Sequence, residues 1–472
     1  MIKKSLVFTI VMVFLLGSAA VSLAVETMWH GQFRINYYSM SQDKDVDDGV
    51  AAARLRWRPT LDVKVNDDVS MHMQLNIGHI QSNSANARFN QDGGPALNCT
   101  DADTDTTDID GHMEYGECAG SGVSGGEPAV GLRHAVLNFS APEIGGKLSA
   151  GLVPLSDKFG DTLFSGDWDF NPLTLAWMGK IENVDIRLAA GKLMETDPAK
   201  DDDLDTYLAD IDFPIGNGNV GASVYVFRSG DGLTGALGDL GDIATQNYVG
   251  VRASQDVGFA RVNGFFVYNM GKIESCSDSA FCSSATIGED VDNSGYAIKL
   301  EGTSPVGSAN LGLMFIMTSG DKEFMTTDSS SSFITPMALI DHHGYWGYTG
   351  KLNVQGPTDT GIDNPLRVDG SVYGGDGLGY GLMTIQAKVD FPVTDKLSGY
   401  AAIGIFQHQD VPSPIDESIG TDIYVQGKYN IAENLNLEAG LDYASIGKDN
   451  AAYTNTVDNS IILLVARLQL EY

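Results

Sequence analysis

The chain has 472 residues, with 29 lysines and arginines against 62 aspartates and glutamates, and a formal charge of -33 at neutral pH. So acidic a surface repels nucleic acid and excludes the polyanion-binding classes. An apolar fraction of 43% and 55 glycines suit a soluble protein, and equally a barrel whose strands meet lipid on one side only.

The first 24 residues carry Lys3 and Lys4, an apolar run of about a dozen residues, and small residues ending at Ala24. This order predicts a secretory signal peptide over 1–24, leaving 25–472 as one domain in an exported protein. The run is shorter than the roughly 20 residues a spanning helix needs. No later segment offers about 18 uninterrupted apolar residues, so no transmembrane helix is expected. No linker or lasting change of composition divides the rest.

From residue 29 onward the apolar residues recur with period two, the repeat of a strand with one greasy and one wet face. In "WHGQFRINY", Trp29, Phe33, Ile35 and Tyr37 oppose His30, Gln32, Arg34 and Asn36. In "ARLRWRPTLDVKVN" (53–66), Leu55, Trp57, Leu61, Val63 and Val65 oppose Arg54, Arg56, Arg58, Thr60, Asp62 and Lys64. In "MHMQLNIG" (71–78), Met71, Met73, Leu75 and Ile77 oppose His72, Gln74 and Asn76. Three arginines on alternate residues repel one another unless the face is wet and opposite charge is near.

Connections alternate in length. Short turns fall at 65–68, 141–146, 179–182, 214–219, 254–258, 302–308, 392–396 and 430–434. Between them lie long polar segments at roughly 40–49, 80–128, 154–171, 194–203, 229–244, 272–292, 319–380, 408–420 and 447–458. Eight short turns join sixteen strands, and one more at each end makes about 18, the even number a bacterial barrel requires. Two short turns share Asp-Phe-Pro, where proline stops ladder pairing and Phe213 and Phe391 would join an aromatic girdle.

The long segments carry few chemical motifs. Cys99 with Cys118, and Cys276 with Cys282, are two local pairs that in an oxidising compartment suggest loop-closing disulfides. Asp103, Asp105, Thr107 and Glu114 have calcium-loop offsets, but Asp108 stands where glycine is needed and no helices flank the run, so it reads as a solvated acidic loop. Asp341, His342 and His343 do not make a metal site, because neighbouring residues of a strand point apart. There is no Cys-x-x-Cys-His for haem, no nucleophile motif and no convincing carboxylate pair. No cofactor, metal or catalytic residue is expected, and the chain is not read as an enzyme.

The last stretch, "NSIILLVARLQLEY", sets Ile462, Leu464, Ala466, Leu468, Leu470 and Tyr472 against Arg467, Gln469 and Glu471, and ends on an aromatic residue. With the loop alternation, this resembles the outer-membrane porins of Gram-negative bacteria, whose final strand ends in Phe or Tyr and is read by the barrel-assembly machinery. The resemblance covers the whole mature chain in architecture and assigns no subfamily; about 18 strands is similar to the sugar- and carboxylate-specific channels. It implies an all-β transmembrane antiparallel barrel in the cell outer membrane, set in lipid and lipopolysaccharide, with short periplasmic turns and long extracellular loops, 319–380 the longest. It also implies a homotrimer.

In porins the third long loop commonly folds into the lumen and sets acids opposite a basic wall. Here that loop is 154–171, with Asp157, Asp161, Asp167 and Asp169 as candidate constriction acids and Phe159, Phe164, Trp168 and Phe170 to pack it. Arg34, Arg54, Arg56, Arg58, Lys64 and Arg187 are the candidate pore-lining cations. The function expected is passive diffusion of small hydrophilic solutes and ions. Two other readings stay open: a channel specific for small anions such as carboxylates or phosphate, and a structural sheath for a partner electron-transfer cytochrome.

Overall fold

The computed structural model describes residues 25–42, 50–81, 130–166, 170–194, 204–229, 243–274, 291–323, 329–336, 352, 380–413, 416–446 and 460–472. They form β1 (Glu26–Gln42), β2 (Val50–Lys64), β3 (Val69–Gln81), β4 (Val130–Ala141), β5 (Gly146–Leu152), β6 (Leu173–Ile181), β7 (Val184–Met194), β8 (Leu204–Ile215) and β9 (Gly218–Ser229). There follow β10 (Ile243–Asp256), β11 (Arg261–Glu274), β12 (Val291–Val306), β13 (Ala309–Thr318), the two-residue β14 (Ser329–Ser330), β15 (Met383–Pro392), β16 (Leu397–Gln407), β17 (Ser418–Ala432), β18 (Leu435–Ile446) and β19 (Ser460–Glu471). Apart from β14, which pairs parallel with β12 at Asp292 and Asn293, every strand pairs antiparallel with its neighbours in sequence. β1 pairs with both β2 and β19, so the eighteen remaining strands close into a barrel. No helix among the described residues is long and apolar enough to cross a membrane.

The eight short turns all occur where expected, at one end of the barrel; the long segments leave from the other. A two-residue link closes β6 to β7 at Glu182, whose φ is 56°, and Gly216 and Gly307 (φ 58° and 62°) serve β8–β9 and β12–β13. Left-handed backbone of this kind is what tight hairpins need.

Burial inverts the pattern of a water-soluble protein. Outward positions hold exposed Leu175, Val251, Leu313, Ile385 and Leu464, with Leu313 66% accessible, while inward positions hold buried Asn36, Thr60, Asp210, Gln246, Asn269 and Asp422. An apolar belt round the whole wall far exceeds the patches that soluble proteins tolerate and matches hydrocarbon. Phe213 and Phe391 lie on the outer face beside short turns.

The seam of the barrel is closed by the last residue. Gly31 N donates to Tyr472 O at 2.9 Å and Tyr472 N to Gly31 O at 3.1 Å, and on the outer face Trp57 Nε1 donates to the Tyr472 hydroxyl at 2.7 Å. A Cβ on Gly31 would lie 2.4 Å from Arg58 O, so only glycine permits this approach.

Candidate functional site

One stretch of the inner wall is basic. Arg56 and Arg58 keep the inward parity of β2 and stand opposite Arg34 and Gln32 of β1, and Arg54 pairs in register with Asn36; Arg34 and Asn36 in turn face Gln469 and Arg467 of β19. Arg34 Nε donates to Gln469 Oε1 (3.0 Å), Arg56 Nη2 to Gln32 Oε1 (2.9 Å) and Arg58 Nε to Asn76 Oδ1 (3.0 Å). Amides hold each guanidinium in place while arginines on three adjacent strands concentrate positive potential in a wet bore. Arg467 lies on the same inner face but is buried, and it donates to Glu438, which Lys428 also approaches at 3.5 Å.

Arg133, on β4, escaped the period-two reading. The β3–β4 register shifts between Gln74 and Leu75, so Gln74 faces His134 and Leu75 faces Leu132. The extra residue in β4 turns Arg133 and His134, consecutive in sequence, both inward and buried. Arg133 Nη1 donates to Gln74 Oε1 (2.6 Å) and Nη2 to Gly166 O (2.8 Å), which ties the third long loop to the basic wall. A bulge leaves no reliable mark in sequence, which is why alternation alone missed it.

Two other expected cations stand apart from the row. Lys64, half exposed beside the β2–β3 turn, pairs with Asp67 at 2.7 Å. Arg187 on β7 pairs with buried Asp210 at 2.6 Å; Asp210 also accepts from Ser223 and from Tyr225 (2.6 Å), and Arg252 bridges Ser223 and Asp212, each at 2.6 Å. That network stiffens β7–β10, nearly half a turn of the barrel away from β1.

Against that far wall lies the loop between β5 and β6. Phe159, Leu163, Phe164 and Phe170 are buried, with Phe159 edge-on to Tyr225 and Phe265, and Phe164 edge-on to Tyr225 and Phe227. Full burial of one such ring is worth about 1.5–3 kcal/mol. Phe159 occupies space left by Gly250, where a Cβ would come within 2.5 Å of its ring, and the Arg252 guanidinium lies over it at 5.9 Å.

Asp157 turns into this loop rather than across the bore. Its Oδ1 accepts from Phe159 N (2.6 Å) and Asp161 N (3.1 Å), and its Oδ2 from Leu163 N and Phe164 N (3.0 Å). Burial pushes its carboxyl up to about 7, against the four amides that favour the ionised form. Asp161 is partly exposed in the tight turn that follows Gly160, with φ of 59°. Asp167, Trp168 and Asp169 lie outside the described residues, as do Cys99, Cys118, Cys276, Cys282, Asp341, His342, His343, the acidic run 103–114 and the signal segment 1–24.

A second segment enters the bore. Within 319–380, Ser332, Phe333, Ile334 and Thr335 are buried against the inner faces of β10–β12. The Tyr248 hydroxyl donates to Ile334 O (2.7 Å), Asn293 Nδ2 donates to Ser332 O (2.8 Å), and Gly295 has no room for a Cβ beside Phe333. Ring contacts run from Phe170 through Phe164, Phe227 and Tyr248 to Phe333, so one aromatic seam seats both insertions. The bore is thus narrowed from the β8–β12 side. Among the described residues no three His, Cys, Asp or Glu side chains could hold a metal ion.

No protein-family model and no curated protein matches the chain. Solved structures do. OccAB1 of Acinetobacter baumannii superposes with a TM-score of 0.53 at 11% identity, covering 94% of this chain and 96% of its own. OccK9 (OpdG) of Pseudomonas aeruginosa gives 0.51 at 12% identity, over 95% and 99%. OpdK of Pseudomonas aeruginosa, solved with vanillate, gives 0.50 at 10% identity, over 94% and 98%. At such identities the likeness is one of fold, and it runs from end to end of both chains.

Proposed function

We propose that the chain is a porin of a Gram-negative outer membrane, a water-filled channel through which small hydrophilic solutes diffuse, small carboxylates most readily. The observation that carries this reading is the basic wall formed by Arg34, Arg56, Arg58 and Arg467, with Arg54 in the same register, across the bore from two inward-folded segments. A bore of eighteen strands is wide enough to hold water, and the insertions narrow it to the scale at which wall charge selects solutes. A carboxylate passing the wall exchanges hydration for charge-assisted hydrogen bonds to guanidinium groups, whereas an apolar solute would displace that water with no return. Vanillate, a small aromatic carboxylate, is bound by a protein of the same fold. Asp161, Asp167 and Asp169 are the acids proposed to face the arginines.

A sheath around an electron-carrying partner would need a clear bore, and the buried rings of Phe159, Phe164 and Phe333 disfavour it. The homotrimer belongs to the same proposal. Planar-bilayer recording of the purified protein tests it: ohmic steps with concentration-dependent block by benzoate or vanillate support the reading, and no conductance sinks it.

A further inference from the structure

Below the arginines on the same wall, four adjacent strands bring three histidines around one aspartate. His30 Nε2 on β1 lies 2.7 Å from Asp62 Oδ2 on β2, Asp62 Oδ1 lies 2.7 Å from His72 Nδ1 on β3, and His72 Nε2 lies 3.3 Å from His134 Nδ1 on β4. The side chains of His30, Asp62 and His72 are 40%, 34% and 29% accessible, so water in the bore reaches them; His134 is buried behind. Asp62 sits four residues beyond Arg58, about 13 Å along the strand toward the short-turn end.

We infer that His30, Asp62, His72 and His134 form a second selectivity element, whose charge is set by pH on the short-turn side of the barrel. The inference rests on the channel reading above. With neutral imidazoles the group carries the single negative charge of Asp62. Imidazole is the side chain whose ordinary titration falls between about pH 5 and 8. A protonated nitrogen of His30 or of His72 that faces Asp62 donates to it. Only one proton fits between His72 Nε2 and His134 Nδ1. Two protons therefore turn the group from one negative charge to one positive charge. The other charged side chains that these strands, their turn and the flanking β19 place at this end are Glu26, Arg58, Lys64, Asp67, Asp68, Arg133 and Glu471, none of which ordinarily titrates in that range. At pH 8 the element interrupts the positive wall, and at pH 5 it extends the wall to the mouth.

The test is reversal potential of the full-length protein in a planar bilayer under a KCl gradient, with pH on the short-turn side stepped from 8 to 5. Wild type should raise its chloride-to-potassium permeability ratio about threefold as the wall charge changes sign. The variant H30Q/H72Q/H134Q should lose most of that rise. Asp157 titrates nearby in pH but is present in both proteins and cancels in the comparison. Asp62→Asn, which removes the one negative charge of the group, should raise the ratio at pH 8. If the triple variant does not assemble, His72→Gln alone, which breaks the middle of the chain of contacts, should remove at least half of the response. A wild-type pH response in these variants overturns the inference, while a stronger cation preference on replacing Arg54, Arg56 and Arg58 would leave the channel reading standing. Absence of any conductance removes both.

Discussion

Arg34 on β1 and Arg56 on β2 stand directly opposite one another on the inner face of the barrel. Like charges at paired positions destabilise a sheet by about 0.2–1 kcal/mol. The arrangement persists because Gln32 and Gln469 hold the two guanidinium groups and because the face is wet. On the proposed channel reading, the acidic long segments draw cations to the mouth within a Debye length of about 10 Å at 0.1 M salt, and the arginines act further in, where a narrow bore weakens screening. Wild type should therefore show mild cation preference at low salt that fades as salt rises. Replacing Arg54, Arg56 and Arg58 together by glutamine should strengthen cation preference and cut carboxylate flux several-fold, read from reversal potentials and liposome swelling. Barrel stability should hold or rise by a few tenths of a kcal/mol. Unchanged selectivity and flux would mean that the row does not line the narrowest point.

Gly250 positions the constriction from beneath. Gly250→Val should push Phe159 out of its seat among Tyr225, Phe265 and Arg252, at a cost of about 1–3 kcal/mol for overpacking. The expected readout is a larger, noisier single-channel conductance with weaker carboxylate block, in a barrel that still resists detergent. Normal conductance would show that the loop is not held by this contact.

Asp157 gives the same loop a pH dependence of opposite origin. A carboxyl near 7 when buried, against an ordinary 3.8, binds its proton more tightly in the closed loop than in an opened one. Loop stability is then fully present below about pH 4, falls as pH rises to 7 and is level above. Brief openings in single-channel traces should be more frequent at pH 8 than at pH 5, and Asp157→Asn should abolish the difference. More frequent openings at pH 5 in wild type would contradict the assignment.

Tyr472 makes two backbone hydrogen bonds to Gly31 and takes a third from the Trp57 indole. Deleting it should loosen the seam between β1 and β19, lowering the temperature at which the folded barrel loses its fast gel mobility by several degrees. Trp57→Phe, which removes only the indole bond, should cost about 1 kcal/mol. Equal thermal behaviour of all three proteins would place closure elsewhere.

The eighteen strands, the turns at one end and the alternation of Arg34, Arg56 and Arg58 with apolar neighbours were legible in sequence because each follows from local chemistry. A strand alternates with period two, a turn declares itself by glycine, proline and aspartate, and lipid on one side forbids a slip that would put arginine in hydrocarbon at about 2–4 kcal/mol. The pattern breaks where structure depends on partners far away in the chain. Arg133 lines the bore because β4 carries one residue more than β3 can match, a mismatch visible only in the register. Asp157 became the hub of its own loop because that loop is seated on Gly250, Tyr225 and Phe265, about 70 to 110 residues distant, where water is excluded and amides alone can meet a carboxylate. The entry of Phe333 depends in the same way on Tyr248 and Gly295. His30, Asp62, His72 and His134 each read as one more wet residue on one more strand; only the register in which β1, β2, β3 and β4 pair, shifted at Leu55/Arg56 and at Gln74/Leu75, brings the four into one chain of contacts.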